Sequence, residues 1–153
     1  MKGRRLLLAL VLAAVVALAL AGAASAAKLD GADRGGKPLS TTLTGDAEVP
    51  GPGDPDGSGT AKITVNPGQG EICYELSVED ITLPATGAHI HVGSADEFGD
   101  VVVPLTAPDA SGSSSGCADV SRELALAIIQ DPENYYVNVH NEDFLAGAVR
   151  GQL

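Results

Sequence analysis

Apolar and polar residues alternate with a period of two over much of this chain, which is the mark of half-buried strands. From Thr60 to Val65, the apolar Ala61, Ile63 and Val65 alternate with Thr60, Lys62 and Thr64. From Glu71 to Val78, Ile72, Tyr74, Leu76 and Val78 alternate with Glu71, Cys73, Glu75 and Ser77. The intervening Asn66-Pro67-Gly68-Gln69-Gly70 is a turn, so the two runs predict a β-hairpin. In Gly87–Gly93, Ala88, Ile90 and Val92 share one face and His89, His91 and Gly93 the other. In Tyr135–Asn141, Val137 and Val139 share one face, opposite Tyr136, Asn138 and His140. Gly147–Leu153 sets Val149, Gly151 and Leu153 against Ala148, Arg150 and Gln152. The β-branched run Val101–Leu105 reads as a strand, and Pro104 in it points to an edge or a bulge. Thr-rich Leu39–Val49 opens the domain with one strand or a pair of short ones.

One segment breaks the period. Ser121–Gln130 carries a helical stripe of Leu124, Ala125, Ile128 and Ile129, with Ser121 as its cap, Glu123 in the first turn and Pro132 beyond its end. The stripe is expected to cover one end of the β structure. Pro50–Gly59 and Ala107–Gly116 are rich in Gly, Pro, Ser and Asp and read as loops, the second a flexible one. Roughly seven to nine short strands and one short helix make an all-β, single-domain Greek-key sandwich or barrel.

The first residues do not belong to that pattern. Lys2, Arg4 and Arg5 precede an apolar run, Leu6–Ala21, and Ala24-Ser25-Ala26 is a small-residue cleavage site, so residues 1–26 read as a signal peptide. Residues 27–38 read as a disordered lead-in and residues 39–153 as the domain. The formal net charge of −11 becomes −14 when the three basic groups of the leader are removed. So acidic a chain repels phosphate backbones and anionic headgroups, and neither nucleic acid nor membrane is an expected partner after cleavage. The only cysteines, Cys73 and Cys117, are expected to pair as a disulfide running over the sheet surface or to a covering loop. Such a bridge is worth about 3–4 kcal/mol by loop entropy.

The chemistry gathers on two strands. All three histidines, His89, His91 and His140, fall on polar strand faces. Should the two strands be neighbours, three imidazoles can hold Cu or Zn and leave a position open for water. Otherwise they serve as hydrogen-bonding groups for nearby loops. Asn138 and Arg150 are further candidates, Asn138 toward a turn or adjacent backbone and Arg150 toward a surface carboxylate. No serine lies in a nucleophile-elbow pattern, the carboxylates nominate no acid–base pair, and no catalytic residue is assigned. Asp54 and Asp56 lack the remaining ligands of a calcium loop and read as a solvated turn.

Glu48-Val49-Pro50, Ala88-His89-Ile90-His91, Tyr136-Val137-Asn138-Val139-His140 and Arg150-Gly151-Gln152, in that order, resemble the CHRD domain. That family is named for chordin, an extracellular antagonist of bone morphogenetic proteins, and also occurs in exported microbial proteins. The resemblance spans about residues 40–153 and implies a secreted β domain whose partner is an extracellular protein or ligand. Ala148 departs from the acidic residue many members carry before the Arg-Gly-Gln ending, which removes one partner for Arg150. The His-x-His strand and the later Val-x-Val-His strand are also similar to copper-zinc superoxide dismutase. That similarity implies His89, His91 and His140 as copper ligands, but it offers no bridging histidine and no counterpart of the active-site arginine. The expected function is a secreted CHRD-like binding or structural module, with a metal held by three histidines. The alternative is a copper-dependent redox enzyme.

Overall fold

Eight strands and one helix realise the alternation in a computed structural model that describes residues 35–153. They are β1 (Lys37–Thr44), β2 (Ser58–Asn66), β3 (Glu71–Glu79), β4 (Gly87–Val92), β5 (Val101–Leu105), β6 (Ser113–Asp119), α1 (Arg122–Gln130), β7 (Tyr135–His140) and β8 (Val149–Gln152). The signal-peptide reading and residues 27–34 of the lead-in lie outside the described residues. β1 begins at Lys37, just ahead of the domain boundary expected at residue 39.

The strands form one sheet in the order β5-β4-β7-β8-β1-β2-β3-β6, and every pairing in it is antiparallel. The sheet curls until its edges, β5 and β6, approach each other, giving a nearly closed barrel. Polar bonds stitch the seam. Ser114 Oγ donates to the Thr106 carbonyl at 2.8 Å, and the Thr106 N–H donates to the Tyr74 hydroxyl at 2.9 Å. Counted across that seam, β4, β5 and β6 form a meander and β7 returns beside β4, a Greek key. Pro104 sits on an edge strand beside a bulge at Ile90/His91, where its missing N–H costs no ladder bond.

The inward face of each strand supplies the core. Ala61, Ile63, Val65, Ile72, Leu76, Ala88, Ile90, Val137, Val139 and Val149 are buried in one cluster. α1 adds Ala125 and Ile128 to it, and Ser121 Oγ accepts the Leu124 N–H at 3.1 Å, so the predicted stripe and cap are both observed. The expected hairpin of β2 and β3 is present, with Ala61 opposite Leu76 and Ile63 opposite Tyr74.

One loop reading is overturned. Residues 113–116, read as the end of a flexible loop, are the first half of β6 and pair with Tyr74–Ser77. Their serines and glycine carry no hydrophobic alternation, and the strand is specified by its partner β3. Cys117 faces Cys73 directly across that ladder, and the two form a disulfide with S–S 2.01 Å. The bridge therefore lies on the outer surface of the sheet, one of the two routes expected of it.

Candidate metal centre

β4 and β7 are neighbours, which is the point the sequence left open. Ala88, Ile90, Val137 and Val139 point into the core, so the intervening side chains stand on the outside of the barrel. Three rows cross that outer face. Gly87 lies opposite His140; His89 opposite Asn138, which lies opposite Arg150; His91 opposite Tyr136, which lies opposite Gln152. Gly87 has a structural reason: a Cβ there would stand 3.3 Å from His89 Cε1 and 3.5 Å from His140 Cδ2, in the space where the two imidazoles meet.

The three imidazoles converge. His89, His91 and His140 each offer one nitrogen, and the three nitrogens lie within 4.8 Å of one another. His89 Nδ1 and His140 Nε2 are 3.3 Å apart. Two nitrogens bound to one ion at about 2.0–2.1 Å with tetrahedral angles are roughly 3.3–3.4 Å apart. Without an ion the same spacing serves an N–H···N hydrogen bond.

Backbone carbonyls fix two of the tautomers. His91 Nδ1 lies 2.9 Å from the Gly99 carbonyl and His140 Nδ1 lies 3.1 Å from the Leu145 carbonyl. A carbonyl accepts only an N–H, so in both rings Nδ1 carries the proton and Nε2 keeps its lone pair. Second-sphere carbonyls commonly set metal-ligating histidines in this way. His91 is 5 % exposed, and its buried Nε2 has no hydrogen-bond partner. A buried acceptor left unpaired costs free energy that a bound cation would return. Burial lowers the pKa of all three histidines, and their mutual repulsion lowers His89 and His140 further. The neutral, ligand-competent form is favoured.

A layer of buried polar residues stands behind this cluster. Asn138 Nδ2 donates to both carboxyl oxygens of Glu48, at 2.6 and 2.8 Å. The expected turn or backbone partner of Asn138 is thus replaced by a side chain from far upstream. Glu48 is 5 % exposed; burial raises its pKa to about 7, against the lowering effect of Arg150 and the Asn138 hydrogen bond. Gly147, at φ +146°, passes so close to the Glu48 carboxyl that any Cβ there would collide with it.

Arg150 is also a correction. In place of the expected surface carboxylate, it is 1 % exposed and donates to the carbonyls of Ser94 (2.7 Å) and Glu97 (3.0 Å). Its guanidinium lies 3.4 Å over the Tyr136 ring, and Tyr136 stacks on His91 at 4.8 Å between centroids. Guanidinium, phenol and imidazole form one column. The Gly99 N–H donates to the Tyr136 hydroxyl at 3.2 Å, and Gln152 Nε2 donates to the Gly93 carbonyl at 2.8 Å. The loop after β4 is therefore pinned by the Arg-Gly-Gln strand, and it delivers the Gly99 carbonyl that orients His91. Tyr136 and Glu48 are site residues that the sequence reading misses. Their signal is membership of motifs whose spacing carries no chemistry until the strands are paired.

The CHRD domain family model matches residues 39–153. This chain belongs to the CHRD domain family. No curated protein and no solved structure matches it. In this CHRD domain the motif residues Glu48, His89, His91, Asn138, His140 and Arg150 share one patch on the outside of the barrel, joined by the contacts above. Asp54 and Asp56 do not line the space around the histidines; they lie in a turn closed by Asp54 Oδ1 accepting the Asp56 N–H at 3.3 Å.

The three histidines of the CHRD domain form the floor of an open bowl of about 690 Å³. Its walls are Val49, Pro50, Phe98, Val101, Leu145 and Ala146, all apolar. No carboxylate lines it, so an ion held there would have a neutral, all-nitrogen protein ligand set.

Proposed function

We propose that this CHRD domain is an extracytoplasmic module that binds one transition-metal ion, copper or zinc, through His89, His91 and His140. One observation carries the reading: three imidazole nitrogens within 4.8 Å of one another, among them the buried and unpartnered His91 Nε2. Imidazole ligands suit both Cu(II) and Zn(II), and the general affinity order favours Cu(II) when both are present. Three protein ligands also leave a coordination position free. Extracytoplasmic placement is supported by the disulfide, by the family, and by a leader whose pattern is that of a signal peptide. Partner binding outside the cell, the role expected of the family, is compatible with an ion held on the outer face.

Calorimetric titration of the exported protein with Cu(II) and with Zn(II) tests the reading. A single site is expected, absent from the variant with all three histidines replaced by alanine. Equal heats from both proteins would reject it. The redox alternative is separated by superoxide dismutation assays on copper-loaded protein. Arg150 gives that alternative no support, because it is buried and held in the Tyr136 column.

A further inference from the structure

Four large apolar side chains are exposed among the described residues: Val92, Phe98, Val101 and Leu145. Three of them, Phe98, Val101 and Leu145, stand around the histidine bowl. Apolar residues exposed singly need no explanation, but a group of them around one depression marks a binding surface. Leu145 is 76 % exposed and Phe98 65 %, so neither contributes its side chain to the core. The volume of about 690 Å³ falls in the range of small-molecule sites, whose walls are mostly apolar with a few convergent polar groups. Here the convergent polar group is the floor, with the unpartnered Nε2 of the 5 % exposed His91.

We propose that the bowl binds a small aromatic molecule carrying one metal-donor atom, a phenolate oxygen or an azole nitrogen. The proposal rests on the metal reading above and adds the ligand class to it. The donor atom takes the coordination position that three imidazoles leave open on a four-coordinate ion. The ring then lies against Phe98, Val101 and Leu145. A single donor suffices because one position is free. An apolar body is required because the walls present no side-chain hydrogen-bonding group beyond the imidazoles, and a polar body would lose its water without replacement. An aromatic body fits because a flat ring can pack on Phe98 in an offset or edge-on arrangement.

The experiment compares 4-phenylimidazole with imidazole on the copper-loaded, exported protein, followed by the visible band of the metal and by calorimetry. Both probes offer the same donor, and only one offers a ring to the walls. Burying half the surface of a phenyl ring is worth about tenfold or more in affinity. 4-Phenylimidazole is therefore expected to bind at least tenfold tighter. Phe98→Ser and Val101→Ser should erase that preference while leaving copper loading and imidazole affinity unchanged. Equal affinity of the two probes on fully loaded protein overturns the proposal, as does a preference that survives both serine variants. If copper fails to load before any probe is added, the metal reading itself has failed, and that outcome is seen separately. A dimer in sedimentation that dissociates in the Phe98→Ser variant assigns the patch to self-association and also overturns the proposal.

Discussion

Replacing Glu48 by Gln tests the buried layer behind the histidines. Glu48 is 5 % exposed, and burial raises its pKa from 4.5 to about 7. A carboxyl whose folded pKa is raised contributes stability that is fully present below its unfolded pKa and is lost as pH rises through its folded pKa. For Glu48 the window runs from pH 4.5 to about 7. Each unit of difference is worth about 1.4 kcal/mol, so the ionised wild type at pH 8 has given up about 3 kcal/mol relative to acid pH. The amide of the Glu48→Gln variant keeps an acceptor for Asn138 Nδ2 and cannot ionise. Chemical denaturation of metal-free wild type and Glu48→Gln, from pH 5 to pH 8, isolates the effect because the histidines titrate in both proteins. The stability of the variant relative to wild type should rise by about 2–3 kcal/mol across that range. A difference that stays constant with pH would show that Glu48 does not carry a raised pKa, and the account of the buried layer would fall.

Metal affinity should weaken as pH falls below about 6.5, because protons compete for the ligand nitrogens. The lowered pKa of all three histidines should shift that loss further toward acid, and titrations at pH 7.5, 6 and 5 check it. Arg150→Lys keeps the charge but loses the planar fork that bonds Ser94 and Glu97 while covering Tyr136; it should cost about 1–3 kcal/mol in denaturation and weaken metal binding. Unchanged binding would mean that the column does not position His91. Changing Cys73 and Cys117 to Ser together should cost about 3–4 kcal/mol, read by urea denaturation. No loss would show that the bridge adds no constraint.

Much of this protein follows from its sequence alone. Strict alternation in β2, β3, β4 and β7 gives the strands and their inward faces, because one buried face forces a period of two. Ser121 and the Leu124–Ile129 stripe likewise give α1, since capping and helical amphipathicity are local properties. The cysteine pair is legible from its number, two and no more. The family is legible from its four motifs, and the family model bears it out.

The tertiary structure decided the rest, for one physical reason: strand neighbours are chosen by pairing across the sheet, and sequence period is silent about them. β6 has no hydrophobic alternation to announce it and exists as the partner of β3. The adjacency of β4 and β7 converts three polar-face histidines into one cluster. Asn138 and Arg150 are visible as candidates in the sequence, but their partners are not. Glu48 and the carbonyls of Ser94 and Glu97 come from segments far along the chain, and only the closed sheet brings them together. The same closure leaves Phe98 and Leu145 around the histidines, where a sequence reading sees only two hydrophobic residues in polar loops.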